Sequence, residues 1–261
     1  MITASTWLSY AGFHAPSVAG SKDWRQVRAA AQKLERKVWD DHRIKLMVCF
    51  DAWRFRDMSS KEVERAQRAS FGIVDPDFPQ LGKHADPTCR HLTPENFYAL
   101  VGTVTDRPLP LYTLNTAALY DASWAGDVVK NLFVSRRLWS DDPERDCAGL
   151  TVEVEYQHAD MLSRLPATHL GTAWVREDRR GQGIGDAVSR LHRLIAWLRF
   201  GSIPQFATIV PGRNHDKLFR SQEIGTVYEK RDGLTVESRV LFYSSADIVA
   251  DAGEVLNGAA T

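Results

Sequence analysis

Cysteine is scarce in this chain. Cys49, Cys89 and Cys147 are its only three, an odd number with no C-x-x-C spacing and no paired His-x-x-x-His. That pattern excludes a disulfide-built scaffold and supplies no metal site, so the thiols read as reduced and the expected compartment is the cytoplasm. No apolar run reaches the roughly eighteen residues of a membrane span, and no charged-then-apolar leader ends in a small-residue cleavage site. Neither charge is in excess: 33 Lys and Arg balance 33 Asp and Glu, so no global field draws the chain onto nucleic acid or an anionic membrane. Repeats and low-complexity tracts are also missing, apart from a small-residue end from Ala250 to Thr261 that reads as a frayed tail.

What is present is an ordinary folded composition, 44% hydrophobic, 25% charged and 10% aromatic over 261 residues, enough to bury a sizeable core without a staple. Trp24, Val27, Ala31, Leu34 and Val38 recur at helical spacing from Asp23 to Asp40, with Arg25, Arg28, Lys33 and Arg36 between them. Ile44 to Phe50 has strand character, and Ser59 with Glu62 forms an S-x-x-E pattern that predicts a helix running to about Ser70. The Pro-rich and Asp-rich stretch from Gly72 to Cys89 predicts a long loop, and Thr93 before Pro94 predicts a further helix.

Strands are expected at Leu111 to Leu119, Asn131 to Leu138, Leu150 to His158 and Thr168 to Val175. In the third, Val152, Val154 and Tyr156 alternate with Glu153, Glu155 and Gln157, as in an antiparallel strand with one wet face. Downstream come a short buried strand at Phe206 to Val210, a short helix at Asn214 to Ser221, and a hairpin of Thr226 to Lys230 with Leu234 to Phe242 around Asp232-Gly233.

The stretch that carries chemistry is Thr172 to Phe200, an apolar strand, a charged turn, a glycine-rich loop and an amphipathic helix in that order. Gly181, Gly183 and Gly185 remove side chains, so backbone N–H groups of the loop and first helical turn can close around an anion such as diphosphate. The helix dipole favours negative charge there, with Arg176, Arg179 and Arg180 alongside. Val188, Leu191, Leu194, Ile195 and Leu198 give the helix a core face, and Arg190 and Arg193 fall off it, where they could meet an outlying phosphate. A dinucleotide fingerprint would need glycine three positions after the second, where position 186 is Asp, and a Walker loop would need Gly-Lys-Ser/Thr; neither is present. A bare structural turn and a site for another nucleotide are the alternatives.

Arg180-Gly181-Gln182-Gly183-Ile184-Gly185, five residues beyond the strand-end Val175, matches R/Q-x-x-G-x-G/A and resembles the acetyl-CoA-binding motif of the GNAT superfamily of N-acetyltransferases. The segment from Asn214 to Gly225 is similar to the family's later motif, an Asn opening a helix and a Gly closing it. The resemblance is specific from about Thr168 to Gly225 and topological over the remainder. It implies an α/β fold, a mixed, mostly antiparallel sheet flanked by helices, as residues 43–245, with an N-terminal helical extension at 1–42 and a C-terminal tail at 246–261. One strand before Val175 is then surplus.

The resemblance implies direct attack of an amine on acetyl-CoA as co-substrate, with no metal. Carried over by position, Ala173, Trp174 and Val175 would pair with pantetheine and donate to the thioester oxygen, the loop from Arg180 to Gly185 would hold diphosphate, and Asn214 would open the later helix. His169, six residues before Val175, occupies the place of a carboxylate base in protein-acetylating relatives; Glu155 and Glu153 are its rivals. Where many members place a tyrosine that protonates the leaving thiolate, this chain has Ser221, with Tyr228 as a substitute. The acceptor is a small-molecule or protein amine, and Trp53, Trp124, Trp139 and Tyr156 suggest an aromatic-lined cleft. Balanced charge argues against nucleic acid as partner, although acetylation of a charged tRNA is one reading. A non-catalytic acyl-CoA-binding regulatory or assembly module is the alternative to the enzyme. Residues 1–42 read as a flap over the acceptor site or a homodimer contact.

Overall fold

The computed structural model describes residues 1–69, 87, 92–104, 110–120, 151–156, 166–209, 222–231 and 234–258. Among the described residues nine strands form one sheet: β1 (Ile2–Thr3), β2 (Lys45–Cys49), β3 (Phe97–Thr103), β4 (Leu111–Tyr120), β5 (Thr151–Tyr156), β6 (Ala167–Val175), β7 (Gln205–Ile209), β8 (Gln222–Arg231) and β9 (Leu234–Tyr243). Their order across the sheet is β1-β2-β3-β4-β6-β7-β9-β8-β5. Only β6 and β7 pair in parallel among the described strands. The architecture is therefore a mixed, mostly antiparallel sheet, and helices lie on both of its faces. Within this order β5 joins the sheet through β8 alone.

The five α-helices among the described residues are α1 (Ala4–Ser9), α2 (Lys22–His42), α3 (Ala52–Ala69), α4 (Ile184–Phe200) and α5 (Ser245–Leu256). On one face, Leu46, Val48, Leu100 and Leu170 of the sheet meet α1, α2, α4 and α5 in a continuous apolar cluster. On the other, Met47, Ala99, Trp174 and Phe206 share a cluster with Phe55 and Met58 of α3. Alternation of side chains along each strand divides the two cores.

In α4 the expected core face is buried, and so is the opposite side, because α2 and α5 cover it. Arg190 and Arg193, expected on the outside, are 2% and 3% exposed. Arg190 donates to both carboxylate oxygens of Asp251 on α5, at 2.6 and 3.3 Å, and Arg193 stands 3.5 Å from the same carboxylate with its guanidinium 4.9 Å above the Tyr243 ring. They are committed to α5 rather than to an outlying phosphate.

Residues expected as a C-terminal tail instead form α5 from Ser245 to Leu256. Ser244 and Asp247 make a reciprocal capping box, and Ile248, Ala252 and Val255 are buried. Lys33 of α2 donates to the carbonyls of Val255 and Leu256, satisfying acceptors that the helix end leaves over.

Two other boundaries differ from the sequence reading. The helix expected from Ser59 begins at Ala52, where the Asp51 carboxylate accepts the Arg54 N–H at 3.0 Å; Ser59 is a buried interior residue beside Met58. The helix expected at Thr93-Pro94 is a turn, closed by the Asn96 side chain accepting from the Thr93 N–H at 2.8 Å. It leads into β3, whose residues FYALVGT are all buried, so pairing and burial outweigh the helix-start signal. The expected strand at Asn131 to Leu138, the loop from Gly72 to Cys89 apart from Pro87, and the Asp232-Gly233 turn lie outside the described residues.

Candidate active site

β6 ends at Val175, and a single 3-10 turn, Glu177–Arg179, carries the chain into the glycine loop. Gly181 and Gly183 take φ of 76° and 78°, the left-handed region that side chains resist. A Cβ at either would meet nothing within 4 Å, so conformation rather than space requires glycine here. Gly183 is the N-cap of α4 and supplies no side-chain cap, which leaves N–H groups of the first turn able to donate to an anion. Buried Ile184 anchors the turn to the core.

The charged groups around this loop are largely paired. Arg176 lies 3.7 Å above the Tyr112 ring and forks onto Asp178 with two bonds of 2.6 Å. Those bonds hold the Asp178 carboxyl below the usual carboxylate range and raise Arg176 further. Arg179 reaches the Tyr112 ring from 5.3 Å, and Arg180 donates to the Val175 carbonyl at 2.9 Å. Glu177, Asp178 and Asp186 accompany the three arginines. Any affinity of this turn for an anion would therefore depend on oriented backbone donors and the helix dipole more than on net charge.

Beside the loop the sheet opens. β6 pairs with β7 only from Thr168 to Leu170, against Gln205 to Ala207. Beyond that point β6 follows β4 to Val175 while β7 follows β9 to Ile209, so a wedge begins at Gly171. At the same place β6 bulges: its register on β4 passes from Gly171 opposite Thr116 to Trp174 opposite Leu114, two intervening residues against Asn115 alone. Thr172, in this bulge, has φ of 52°, and the Thr116 hydroxyl donates to the Thr172 hydroxyl at 3.2 Å. Ala173 is exposed. Sequence reasoning placed Ala173, Trp174 and Val175 at this strand end but missed Thr116, Thr172 and Tyr112; a β-branched residue in the left-handed region leaves no signal in the sequence.

The structure brings the glycine loop and residues 173–175 together and separates the rest. His169 is 2% exposed, within the sheet's second core, its ring centroid 5.0 Å from Phe206 and 6.4 Å from Tyr120. Glu155 lies on β5, the last strand of the described order and four strand steps from β6. At about 4.8 Å per step that is roughly 19 Å, too far to share a proton with a group at the wedge. Glu153, on the same strand, pairs with Lys230. Tyr228 is on β8, opposite Glu153 and Glu237.

Gly225, expected to close a helix, is inside β8, where the register shifts between Glu223 and Gly225. Ser221, Asn214, Trp124 and Trp139 lie outside the described residues. Trp53 is 56% exposed on α3, beneath the Arg56 guanidinium at 5.7 Å. Among the described residues, no helix is long and apolar enough to cross a membrane, and no group of three His, Cys, Asp or Glu is placed to hold a metal ion.

No family model matches the chain, and no curated protein does. Among solved structures, it is similar to FeeM, an N-acyl amino acid synthase from uncultured soil microbes, with a TM-score of 0.43, 10% identity, and 78% of this chain and 92% of that chain covered. It is also similar to Arabidopsis thaliana NAA60 in complex with a bisubstrate analogue, with a TM-score of 0.36, 10% identity, and 76% of this chain and 97% of that chain covered. Both likenesses are loose.

Proposed function

We propose that this protein is an acyl-CoA-dependent N-acyltransferase of GNAT type, acting on acetyl-CoA and a small-molecule or protein amine in the cytoplasm. The observation that carries the reading is a conjunction: a parallel strand pair parts at Gly171, and the strand that continues ends at Val175, whose carbonyl accepts from Arg180 at the head of a loop whose two left-handed glycines, Gly181 and Gly183, open α4. An edge of β6 and an uncapped helix N-terminus then serve one elongated ligand, pantetheine along the strand and diphosphate at the loop. Arg180 to Gly185 supply the diphosphate turn; Ala173, Trp174 and Val175 supply the strand. Asn214 is assigned to the same ligand by the motif alone.

In the reaction the amine nitrogen attacks the thioester carbonyl, the C–N bond forms and the C–S bond breaks. The amine's proton passes to solvent, and the thiolate takes a proton from solvent or through Ser221. Burial of His169 makes solvent the preferred acceptor, and the distance of Glu155 removes it from the proposal. Rate enhancement then comes from positioning and from backbone donors facing the developing oxyanion.

The test is unfolding of the purified protein with acetyl-CoA, and with NAD and ATP as controls, followed by thiol release from acetyl-CoA over an amine panel. At a hundredfold excess over Kd, a ligand of the folded state adds about 2.7 kcal/mol, roughly 5 to 10 °C in Tm for a chain of this size. A shift specific to acetyl-CoA is expected; none, or an equal one with ATP, would reduce the loop to a structural turn or general phosphate site. The second reading, a binding module without catalysis, is favoured by the burial of His169 and predicts the shift without turnover.

A further inference from the structure

Two non-glycine residues among those described have positive φ: Arg43 and Thr172. Arg43 follows α2 as its C-cap, an ordinary place for the left-handed conformation. Thr172 is inside a strand and is β-branched, which makes it a true outlier. Glycine would take this backbone turn without steric cost, and Gly171 stands one position earlier, yet the turn falls on the threonine. Strain of this kind persists where surrounding structure enforces it and concentrates at functional sites.

The Thr172 side chain is in contact with Thr116, buried on β4, whose hydroxyl donates to the Thr172 hydroxyl at 3.2 Å. The bulge coincides with the point at which β6 leaves β7, and its second residue, Ala173, is exposed with no register partner on β4. A bulge re-aims the backbone locally. Loss of the Thr172 side chain would relieve strain while releasing that aim.

We propose that Thr172 is a positioning residue of the acyl-transfer site: tied to Thr116, it holds the bulge in the one conformation that presents the Ala173 backbone to the thioester carbonyl. The assignment rests on the acyl-CoA reading. The reaction read out is acetyl-CoA hydrolysis, which needs no knowledge of the acceptor. Water oxygen attacks the carbonyl, the C–S bond breaks, water's proton goes to solvent, and the thiolate is protonated from solvent to give acetate and CoA.

The experiment compares wild type with Thr172→Gly, Thr172→Ser and Thr116→Val in hydrolysis rate, acetyl-CoA affinity and Tm. Thr172→Gly is expected to keep or raise Tm, to bind acetyl-CoA within about twofold of wild type, and to lose roughly tenfold or more in turnover through misaligned donors. Thr172→Ser is expected to retain most of the turnover, and Thr116→Val to lose it although residue 172 is untouched. Wild-type turnover in Thr172→Gly overturns the proposal, as does rescue failing in Thr172→Ser with binding and Tm intact. Wild-type protein that binds acetyl-CoA but hydrolyses none overturns this assignment and leaves the binding site standing. Wild-type protein that binds no acetyl-CoA overturns the site and the assignment together.

Discussion

Substituting glutamate for Gly183 separates ligand binding from folding. At φ of 78° any side chain incurs the left-handed penalty, about 1–2 kcal/mol, but a Cβ there meets nothing within 4 Å and adds no clash. The folding cost should stay near 2 kcal/mol, roughly 4 to 8 °C in Tm. Binding should suffer far more. A carboxylate about 5 Å from diphosphate, at an effective dielectric near 40 for an exposed site, opposes each unit charge by about 1.7 kcal/mol, so two charges weaken affinity by two to three orders of magnitude. Titration calorimetry with acetyl-CoA measures this directly, and Gly183→Ala, with the same backbone penalty and no charge, provides the reference. Acetyl-CoA bound by Gly183→Glu within threefold of Gly183→Ala would refute the assignment of the phosphate to this turn.

Asp251→Asn should destabilise the protein by about 3 kcal/mol, or roughly 6 to 12 °C, because among the described residues it leaves two buried guanidiniums with Glu254, 3.9 Å from Arg190, as the remaining carboxylate; a fall below about 2 °C by calorimetry would contradict the charge accounting. A pH effect is expected from His14, whose imidazole is lowered to about 4, first by burial and then by Arg28. The unfolded chain binds a proton near 6.5 that the folded one refuses, so this contribution is whole above that pH and is lost as pH falls toward 4. His14→Asn keeps an acceptor for the Trp24 indole N–H, now 2.9 Å from His14 Nδ1, and should flatten urea-midpoint dependence between pH 6.5 and 4. Identical slopes would count against it.

Much of the fold was legible because periodicity reports burial on one face. Trp24 to Val38 and the strands at residues 111, 168, 206 and 234 followed from local pattern and were displaced by only a few residues. What misled was local signal without tertiary context. Ser59 and Glu62 have capping-box spacing inside a helix that Asp51 opens. Ile248, Ala252 and Val255 have helical spacing too, but the small residues around them resemble a tail until α2 supplies a surface to pack on. Arg190 and Arg193 read as outward-facing because nothing local announces that Asp251, some sixty residues on, will neutralise them in the core. At the site, glycine spacing exposed the loop, whereas the wedge and the strained Thr172 arise from a strand neighbour and a dihedral angle that a linear string does not encode.

The contact between α2 and α5 also orders events in time. Gln26 donates to the carbonyl of Val249, 223 residues along the chain, and Lys33 closes the last carbonyls of α5. On a ribosome adding about 5–20 residues per second, α2 is synthesised roughly 10 to 45 s before the helix that covers it. During that interval Val27, Ala30 and Leu34, all buried in the folded protein, lack part of their final cover, so the nascent chain carries an open apolar seam that chaperones can bind until α5 emerges and shuts it.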